Sequence, residues 1–363
     1  MNRTLRKIRK LIIHPRLYFY DFIRKKFRLP DIDVRLNRIN QRVGNLAFNT
    51  ANLYSCYDHL TIDDFVRLRS KEFYEKLGYF PNFKNPKSFN EKINYLNLFY
   101  YNQYVNYCVD KYTAKTYFAD KVGKEHVIPL LGVFDDPNDI DFDSLPDKFV
   151  IKDNLSGFGY GVRIIEDKSV INIDKLKYEL NSLLFDSKRS MVPQRNEIKR
   201  RLIIEEYIET KERKLDDYKF FCFNGRPRFL YVQDRQYLGS GRVEVHPRQS
   251  FFDLDFNRLG FYNLETPPIK KSVPPPINLD QMIDISIKLS NDFPFVRVDL
   301  YNVEGKIYIG ELTFNPTGGY IPFNDVKYDF QIGEYLDLTS IDKKFLRTWQ
   351  EVISQRAYRE NVQ

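Results

Sequence analysis

The sequence predicts an α+β fold with a helical N-terminal extension. Three observations carry that reading. Residues 60–125 are mainly helix-patterned, short strands follow from residue 148, and hairpin signatures occur near residues 217–233 and 293–316. With 363 residues the chain has room for two or three domains and ample core.

Taken in order, residues 1–30 hold ten basic residues: Arg3, Arg6, Lys7, Arg9, Lys10, Arg16, Arg24, Lys25, Lys26 and Arg28. Asp21 is the only acid there. The formal net charge of the whole chain is +8, so the remainder is almost neutral, which argues against a nucleic-acid-binding body. Leu5, Ile8, Leu11, Ile12, Ile13, Leu17, Tyr18, Phe19 and Phe22 interleave with these charges, but no apolar run approaches a membrane span or a signal-peptide core. The expectation is a basic amphipathic segment on an anionic membrane surface, with a solvated helix packed on the body as the bland alternative. Residues 31–60 contain a short heptad seam of Leu36, Ile39, Val43, Leu46, Thr50 and Leu53. It suits a homodimer or a helix docked on its own domain. The three cysteines (Cys56, Cys108, Cys222) and four histidines are scattered, which points to reduced thiols and to neither a zinc site nor a Ser/His/Asp arrangement.

Residues 61–147 form the helical region. Asn85-Pro86 breaks the pattern, Ser88 to Glu91 opens a helix as a capping box, and a further helix covers 111–123. Val127 to Phe134 reads as strand and turn, and Asp135 to Leu145 as an acidic loop. Residues 148–208 form a small subdomain: strand 148–152, glycine loop 153–161, strand 162–166, helix 173–185, a polar loop 186–200 and strand 201–208. Residues 209–340 form a larger subdomain with a mixed sheet. It contains the hairpin around Asn224-Gly225, proline-rich linkers at 267–268 and 274–276, a helix over 279–291 and the hairpin 293–316. Residues 341–363 are expected to be a C-terminal helix.

The last hairpin carries the strongest chemistry. Alternation puts Arg297 with Asp299 on one face, and Glu311 with Thr313 and Asn315 on one face. A three-residue loop Glu304–Lys306 with Gly305 left-handed would pair Asp299 with Glu311, and a two-residue Glu304-Gly305 turn would place them on opposite faces. Paired carboxylates call for a cation, and hard Mg²⁺ takes such oxygens together with phosphates. A wet polar face is the plain alternative. The loop Asn154–Gly161 has glycines that let backbone N–H groups approach phosphates, yet it fits neither a Walker nor a Rossmann pattern. Lys152 ends the strand beside it. Ile203 to Ile208 is an apolar strand running into two acids, and Asp217, Lys219 and Phe221 share a face of the next strand.

As a set, six segments resemble the ATP-grasp superfamily. They are NPKSFNEKINYL (85–96), VDKYTAKTYFADKVGKEHVIPLLGV (109–133), FVIKDNLSGFGYG (149–161), IIEEYI (203–208), DDYKFFCFNGRPRF (216–229) and FPFVRVDLYNVEGKIYIGELTFNP (293–316). The closest branch is the TupA-like one associated with teichuronopeptide biosynthesis among bacterial surface-polysaccharide proteins. The resemblance covers about residues 75–335. It implies two α+β subdomains sandwiching ATP, with one or two Mg²⁺ ions. It further implies that Lys111 and Lys152 contact the nucleotide and that Gly157, Gly159 and Gly161 form the phosphate flap. Glu205, Glu206 and Ile208 would then be the adenine hinge and Asp217 the acid near the ribose. The resemblance likewise implies that Lys219 would face the phosphates, that Arg297 would stabilise the transferred phosphoryl group, and that Asp299 and Glu311 would hold the metal. The chain departs from the pattern in two places. Its flap reads NLSGFGYG where the family often has NHGSGG, and Thr313 stands where an Asn is usual, with Asn315 two residues on as the preferred third ligand.

The activity implied is an ADP-forming carboxylate–amine ligation through an acyl phosphate. The acceptor would be a surface polysaccharide or its lipid-linked precursor, the nucleophile a small amine or amino acid, and the location the cytoplasmic face of a bacterial membrane. A polysaccharide kinase on the same fold is the runner-up. A glycosyltransferase lacks a convincing DxD-type site, and a non-catalytic scaffold is opposed by intact Lys152, Arg297, Asp299 and Glu311.

Overall fold

The structure, a computed structural model, describes residues 62–155, 157, 161–185, 198–210, 216–234, 237–238, 242–243 and 248–348. The basic segment 1–30, the heptad seam, most of the loop 186–200, Gly159 and residues 349–363 lie outside these. The chain divides into two compact units, Met1–Phe80 with Ile353–Gln363, and Pro81–Val352. Of the first unit, helix α1 (Ile62–Leu77) is described. It ends at Gly78, whose left-handed backbone (φ 80°) lets its N–H return to Tyr74 O, a glycine C-cap.

The second unit begins with α2 (Phe89–Phe99), opened by the expected capping box: Ser88 Oγ accepts from Glu91 N–H and the Glu91 carboxylate accepts from Ser88 N–H. That carboxylate also takes the N–H groups of Asn82 and Lys87, so one side chain fixes the whole entry to the helix. Helices α3 (Gln103–Val109) and α4 (Ala114–Val122) follow.

Four strands form the smaller sheet: β1 (Leu130–Phe134), β2 (Phe149–Asp153), β3 (Val162–Ile165) and β4 (Leu202–Glu206). Their order is β1-β4-β2-β3, and every pairing is antiparallel. Because β1 pairs with β4, this subdomain starts near residue 130 rather than 148. Phe149, Ile151, Leu202 and Ile204 face its core, to which α5 (Ile173–Phe185) contributes Leu176 and Leu180.

The larger sheet contains β5 (Asp216–Phe223) and β6 (Arg226–Asp234), then, after the short pair β7 (Tyr237–Leu238) and β8 (Arg242–Val243), β9 (Arg248–Phe252). Helix α6 (Leu279–Ser290) precedes β10 (Phe295–Val303) and β11 (Lys306–Thr313), and α7 (Val326–Gly333) closes the unit. The order is β11-β10-β5-β6-β9, antiparallel throughout, so the expected mixed sheet is corrected. Strand β9 had no hairpin signal of its own, because a long excursion separates it from β6. Phe220, Phe221, Cys222, Val296, Val298 and Leu300 are fully or almost fully buried, as expected for central strands covered on both faces. Asn90 of α2 bonds Asp329 of α7 and both backbone groups of Ile321, and Asn94 donates to Gly319 O. These bonds pin the chain that leaves β11 against α2. The described part of the expected C-terminal helix, residues 341–348, contains a single 3-10 turn at Lys343–Phe345 instead.

The β10–β11 turn also differs from expectation. Glu304 and Gly305 both have positive φ (52° and 88°) and Val303 pairs with Lys306, a two-residue turn of the mirror-image type. That register alone would set Asp299 opposite Gly310. A bulge intervenes: Leu300 pairs with Ile309, but Asp299 pairs with Glu311, leaving Gly310 as the extra residue. The two carboxylates therefore meet as expected, by a two-residue turn plus a bulge rather than by a three-residue loop. Glycine suits the position, because a Cβ there would lie 3.1 Å from the Tyr301 ring.

Candidate active site

Two clusters of ion pairs lie on the two sheets, with Lys111 between them. On the larger sheet, Lys219 of β5 and Arg297 with Asp299 of β10 occupy adjacent strands in register, Asp299 opposite Lys219. Arg297 forks onto Asp299, Nε to Oδ1 at 2.6 Å and Nη2 to Oδ2 at 2.7 Å. Lys219 Nζ bonds Asp299 Oδ2 and reaches Asp217 Oδ2 at 2.8 Å. Arg297 Nη2 also donates to Thr313 Oγ1 (2.9 Å) and approaches Glu311 Oε1 (3.4 Å), while the Thr313 hydroxyl donates to Glu311 Oε1 at 3.0 Å. The guanidinium lies over Tyr231 of β6, with Arg297 Cζ 5.7 Å from the ring centroid.

Burial opposes every charge here; the partners overcome it at Lys219, Arg297 and Glu311, but at Asp299 burial prevails over Arg297 and Lys219 and holds the carboxyl above its usual range. Burial works against the Lys219 ammonium, but Asp217 and Asp299 outweigh it and raise its pKa. The Arg297 guanidinium is likewise pushed up by Asp299 against burial. Burial acts against the Glu311 carboxylate too, yet Lys111, Lys219, Arg297 and the Thr313 hydroxyl bring it down to about 2. Asp299 is almost fully buried between Arg297 and Lys219, whereas the Glu311 side chain keeps 31% of its exposure. Removing one member of such a set strands a buried charge, the costly way to break an ion pair.

On the smaller sheet, Lys152 of β2 and Glu205 of β4 share a face. Lys152 Nζ meets Glu205 Oε2 at 2.5 Å, and Lys115 Nζ meets Oε1 at 2.6 Å while donating to Ile128 O at 2.7 Å. Burial opposes the Glu205 charge, but the two lysines lower its pKa. Of the two acids at this strand end, Glu205 is thus engaged by lysines. Glu206 is exposed and Ile208 half-buried there. Gly161 is buried and accepts from Asp153 N–H, and Gly157 is exposed.

Lys111 links the clusters. Its Nζ is 4.0 Å from Glu311 Oε2, and its backbone N–H donates to Asn154 O at the base of the glycine loop. Burial lowers its pKa, Glu311 and Asp153 pull the other way, and Lys152 and Glu205 also act on it. Asn154 is fully buried: its backbone N–H donates to Arg201 O, its Oδ1 accepts from Arg201 N–H, and its side-chain amide donates to Lys199 O. It holds the lysine-bearing segment and the flap strand together. Five cations (Lys111, Lys115, Lys152, Lys219, Arg297) therefore face four carboxylates (Glu205, Asp217, Asp299, Glu311), a net positive basin suited to an anion.

Sequence reasoning named every member of these clusters except Lys115 and Tyr231. The i+4 spacing from Lys111 inside the expected helix was the signal for Lys115. Tyr231 gave none beyond its place opposite Lys219 in the hairpin. Among the described residues no group of three or more His, Cys, Asp or Glu could hold a metal; the two carboxylates expected to do so, Asp299 and Glu311, pair across β10 and β11. That set fits Mg²⁺, which takes one or two carboxylates and draws its other oxygens from phosphates and water. Asn315 is half-buried two residues beyond Thr313, whose hydroxyl is committed to Glu311 and Arg297.

A family model for TupA-like ATP-grasp proteins matches residues 91–337. Solved structures that superpose on the chain include a D-alanine–D-alanine ligase from Bacillus anthracis, at 15% identity over 70% of this chain and 68% of that one with a TM-score of 0.36. The Helicobacter pylori D-alanine–D-alanine ligase gives 15% identity, 69% and 70% coverage and a TM-score of 0.38. D-cycloserine synthetase DcsG gives 17%, 69%, 71% and 0.35. No curated protein sequence matches the chain. No helix among the described residues is long and apolar enough to cross a membrane.

Proposed function

The chain belongs to the TupA-like ATP-grasp family, and from that premise we propose that it joins a carboxylate to an amine with conversion of ATP to ADP and phosphate. The observation that carries the reading is the Lys219–Asp299–Arg297–Glu311 cluster, cationic groups and paired carboxylates held in one register by β5, β10 and β11. Lys111 and Lys152 extend it toward the glycine loop. In the first step a substrate carboxylate oxygen attacks the γ-phosphorus, the bond to the bridging oxygen breaks, and ADP leaves. In the second an amine nitrogen attacks the acyl carbon, phosphate departs with the bonding pair, and the nitrogen loses a proton.

The residues act by position and charge. Lys152 and Lys111 hold phosphate oxygens, while Lys219 and Arg297 face the transferred group and balance its charge as bonds change. Asp299 fixes the Arg297 fork so that little reorganisation remains at the moment of transfer. Asp299, Glu311 and Asn315 would hold Mg²⁺, which would supply positive charge against the nucleotide phosphates. Glycines 157, 159 and 161 would cover the phosphates, residues 205–208 the base, and Asp217 would lie on the ribose side.

The proposal extends to substrate. Family context supports a uronic acid of a surface polysaccharide, or of its lipid-linked precursor, as the carboxylate, with a small amine or amino acid as nucleophile. The basic residues 1–30 support work at an anionic membrane face. The test is ADP release on screening uronic-acid acceptors with amino acids. Release that needs both substrates is expected. Release with sugar alone points to phosphoryl transfer to a hydroxyl instead. Undiminished sedimentation with anionic vesicles after removal of residues 1–30 counts against the membrane part.

A further inference from the structure

Lys115 has no place in the chemistry above, yet it is engaged as closely as any residue in it. It stands on α4 with 13% of its side-chain exposure, and its ammonium contacts Glu205 Oε1 (2.6 Å) and Ile128 O (2.7 Å). Glu205 in turn contacts Lys152 at 2.5 Å and keeps 5% of its exposure. A buried carboxylate with one ammonium forms a neutral pair, and a second ammonium leaves the trio at +1. Without Lys115, Lys152 would be the whole counter-charge of a desolvated Glu205. An ammonium held that way can serve a phosphate only by abandoning the carboxylate, which leaves a buried charge alone.

We propose that Lys115 is a positioning residue: it neutralises Glu205 from behind, so that the Lys152 ammonium keeps its charge available to a nucleotide phosphate. This inference rests on the nucleotide-binding reading of the site. The second contact of Lys115, to Ile128 O, ties α4 to the segment entering β1 and holds the ammonium on the Oε1 side, away from the Oε2 edge that Lys152 uses. The division of labour follows: Lys115 carries the structural half of the ion pair and Lys152 the ligand half.

The test is calorimetric binding of Mg²⁺-ATP to the full chain in a charge-rescue cycle. Lys115→Met is expected to weaken binding tenfold or more, and Lys115→Arg to stay within threefold because it restores the charge. The decisive comparison is made in the Glu205→Gln background, where no carboxylate needs neutralising. There, adding Lys115→Met should change binding by less than threefold. Thermal unfolding of each variant is followed alongside. The Lys115→Met, Glu205→Gln pair removes one charge of each sign, leaves the trio at its original +1, and keeps the comparison available if Lys115→Met alone fails to fold. A tenfold loss in the Glu205→Gln background, or binding by folded Lys115→Met within threefold of the unaltered chain, overturns the inference while leaving the nucleotide reading intact. No ATP binding by the unaltered chain overturns both.

Discussion

Gly310 is the residue on which the pairing of the two carboxylates turns. A Cβ at this position would sit 3.1 and 3.2 Å from Tyr301 Cε2 and Cζ and 3.3 Å from Asp299 O. These separations are a few tenths of an ångström too short, and the ring and the β10 backbone must both yield. Overpacking of this kind costs about 1–3 kcal/mol, or about 3–10 °C in Tm for a domain of this size. Gly310→Ala is expected to fall in that range, and Gly310→Val beyond it, since the branched side chain meets the same ring with more atoms. The strain falls on Asp299, so Mg²⁺-ATP binding should weaken about tenfold in Gly310→Val. Deleting Gly310 gives the opposite expectation. With the two-residue turn kept, removal of the extra residue brings Glu311 opposite Asp299 without a bulge, so binding should suffer less than in Gly310→Val. Differential scanning calorimetry and binding calorimetry read both effects. A Gly310→Val variant with unchanged Tm and unchanged binding refutes the argument that this bulge sets the carboxylate register.

Three other outcomes follow from the same geometry. A Cβ on Gly333 would come within 2.1 Å of Lys87 O and 2.8 Å of Phe89 N, so Gly333→Ala should push α7 off the start of α2 and cost about 3 kcal/mol in denaturant unfolding. Arg297→Lys loses the fork onto Asp299 and the bond to Thr313, and should lower kcat about 100-fold or more with a smaller change in KM for ATP, as for other groups that act on transition-state charge. Glu311, brought from its ordinary 4.5 to about 2 against burial by Lys111, Lys219 and Arg297, contributes stability that is full above pH 4.5 and is lost as pH falls toward 2. At about 1.4 kcal/mol per unit the gap sets a ceiling of about 3 kcal/mol, which partial exposure reduces to about 1–2. Glu311→Gln should therefore flatten the fall in stability between pH 5 and pH 3, and an unchanged slope contradicts the assignment.

Local patterns carried most of the fold. The Ser88–Glu91 capping box, the Asn224-Gly225 turn, helix 173–185 and the strands around Lys152 and Glu205 all depend on near neighbours, and each stands within a few residues of its expected place. What escaped depends on distant pairing. β1 joins the smaller sheet only because β4, about seventy residues later, aligns with it. β9 is defined by β6 across the excursion that carries β7 and β8. At the site, alternation placed Arg297 and Asp299 on one face, but whether Glu311 would face them hung on a turn length and a bulge. A glycine within a strand marks such a bulge without stating its register. Glu205 was read as a strand-end acid. Its capture by two lysines is a tertiary event, because Lys115 arrives from a helix about ninety residues earlier.

The central claim is a Mg²⁺-dependent nucleotide site built on the paired carboxylates. Calorimetric titration of ATP into the full chain, with and without Mg²⁺, compared with the Asp299→Asn, Glu311→Gln double variant, tests it most directly. The account predicts binding that requires Mg²⁺ and is lost in the double variant while the fold persists. Absence of ATP binding in the unaltered chain, or equal Mg²⁺-dependent binding in the double variant, would contradict it.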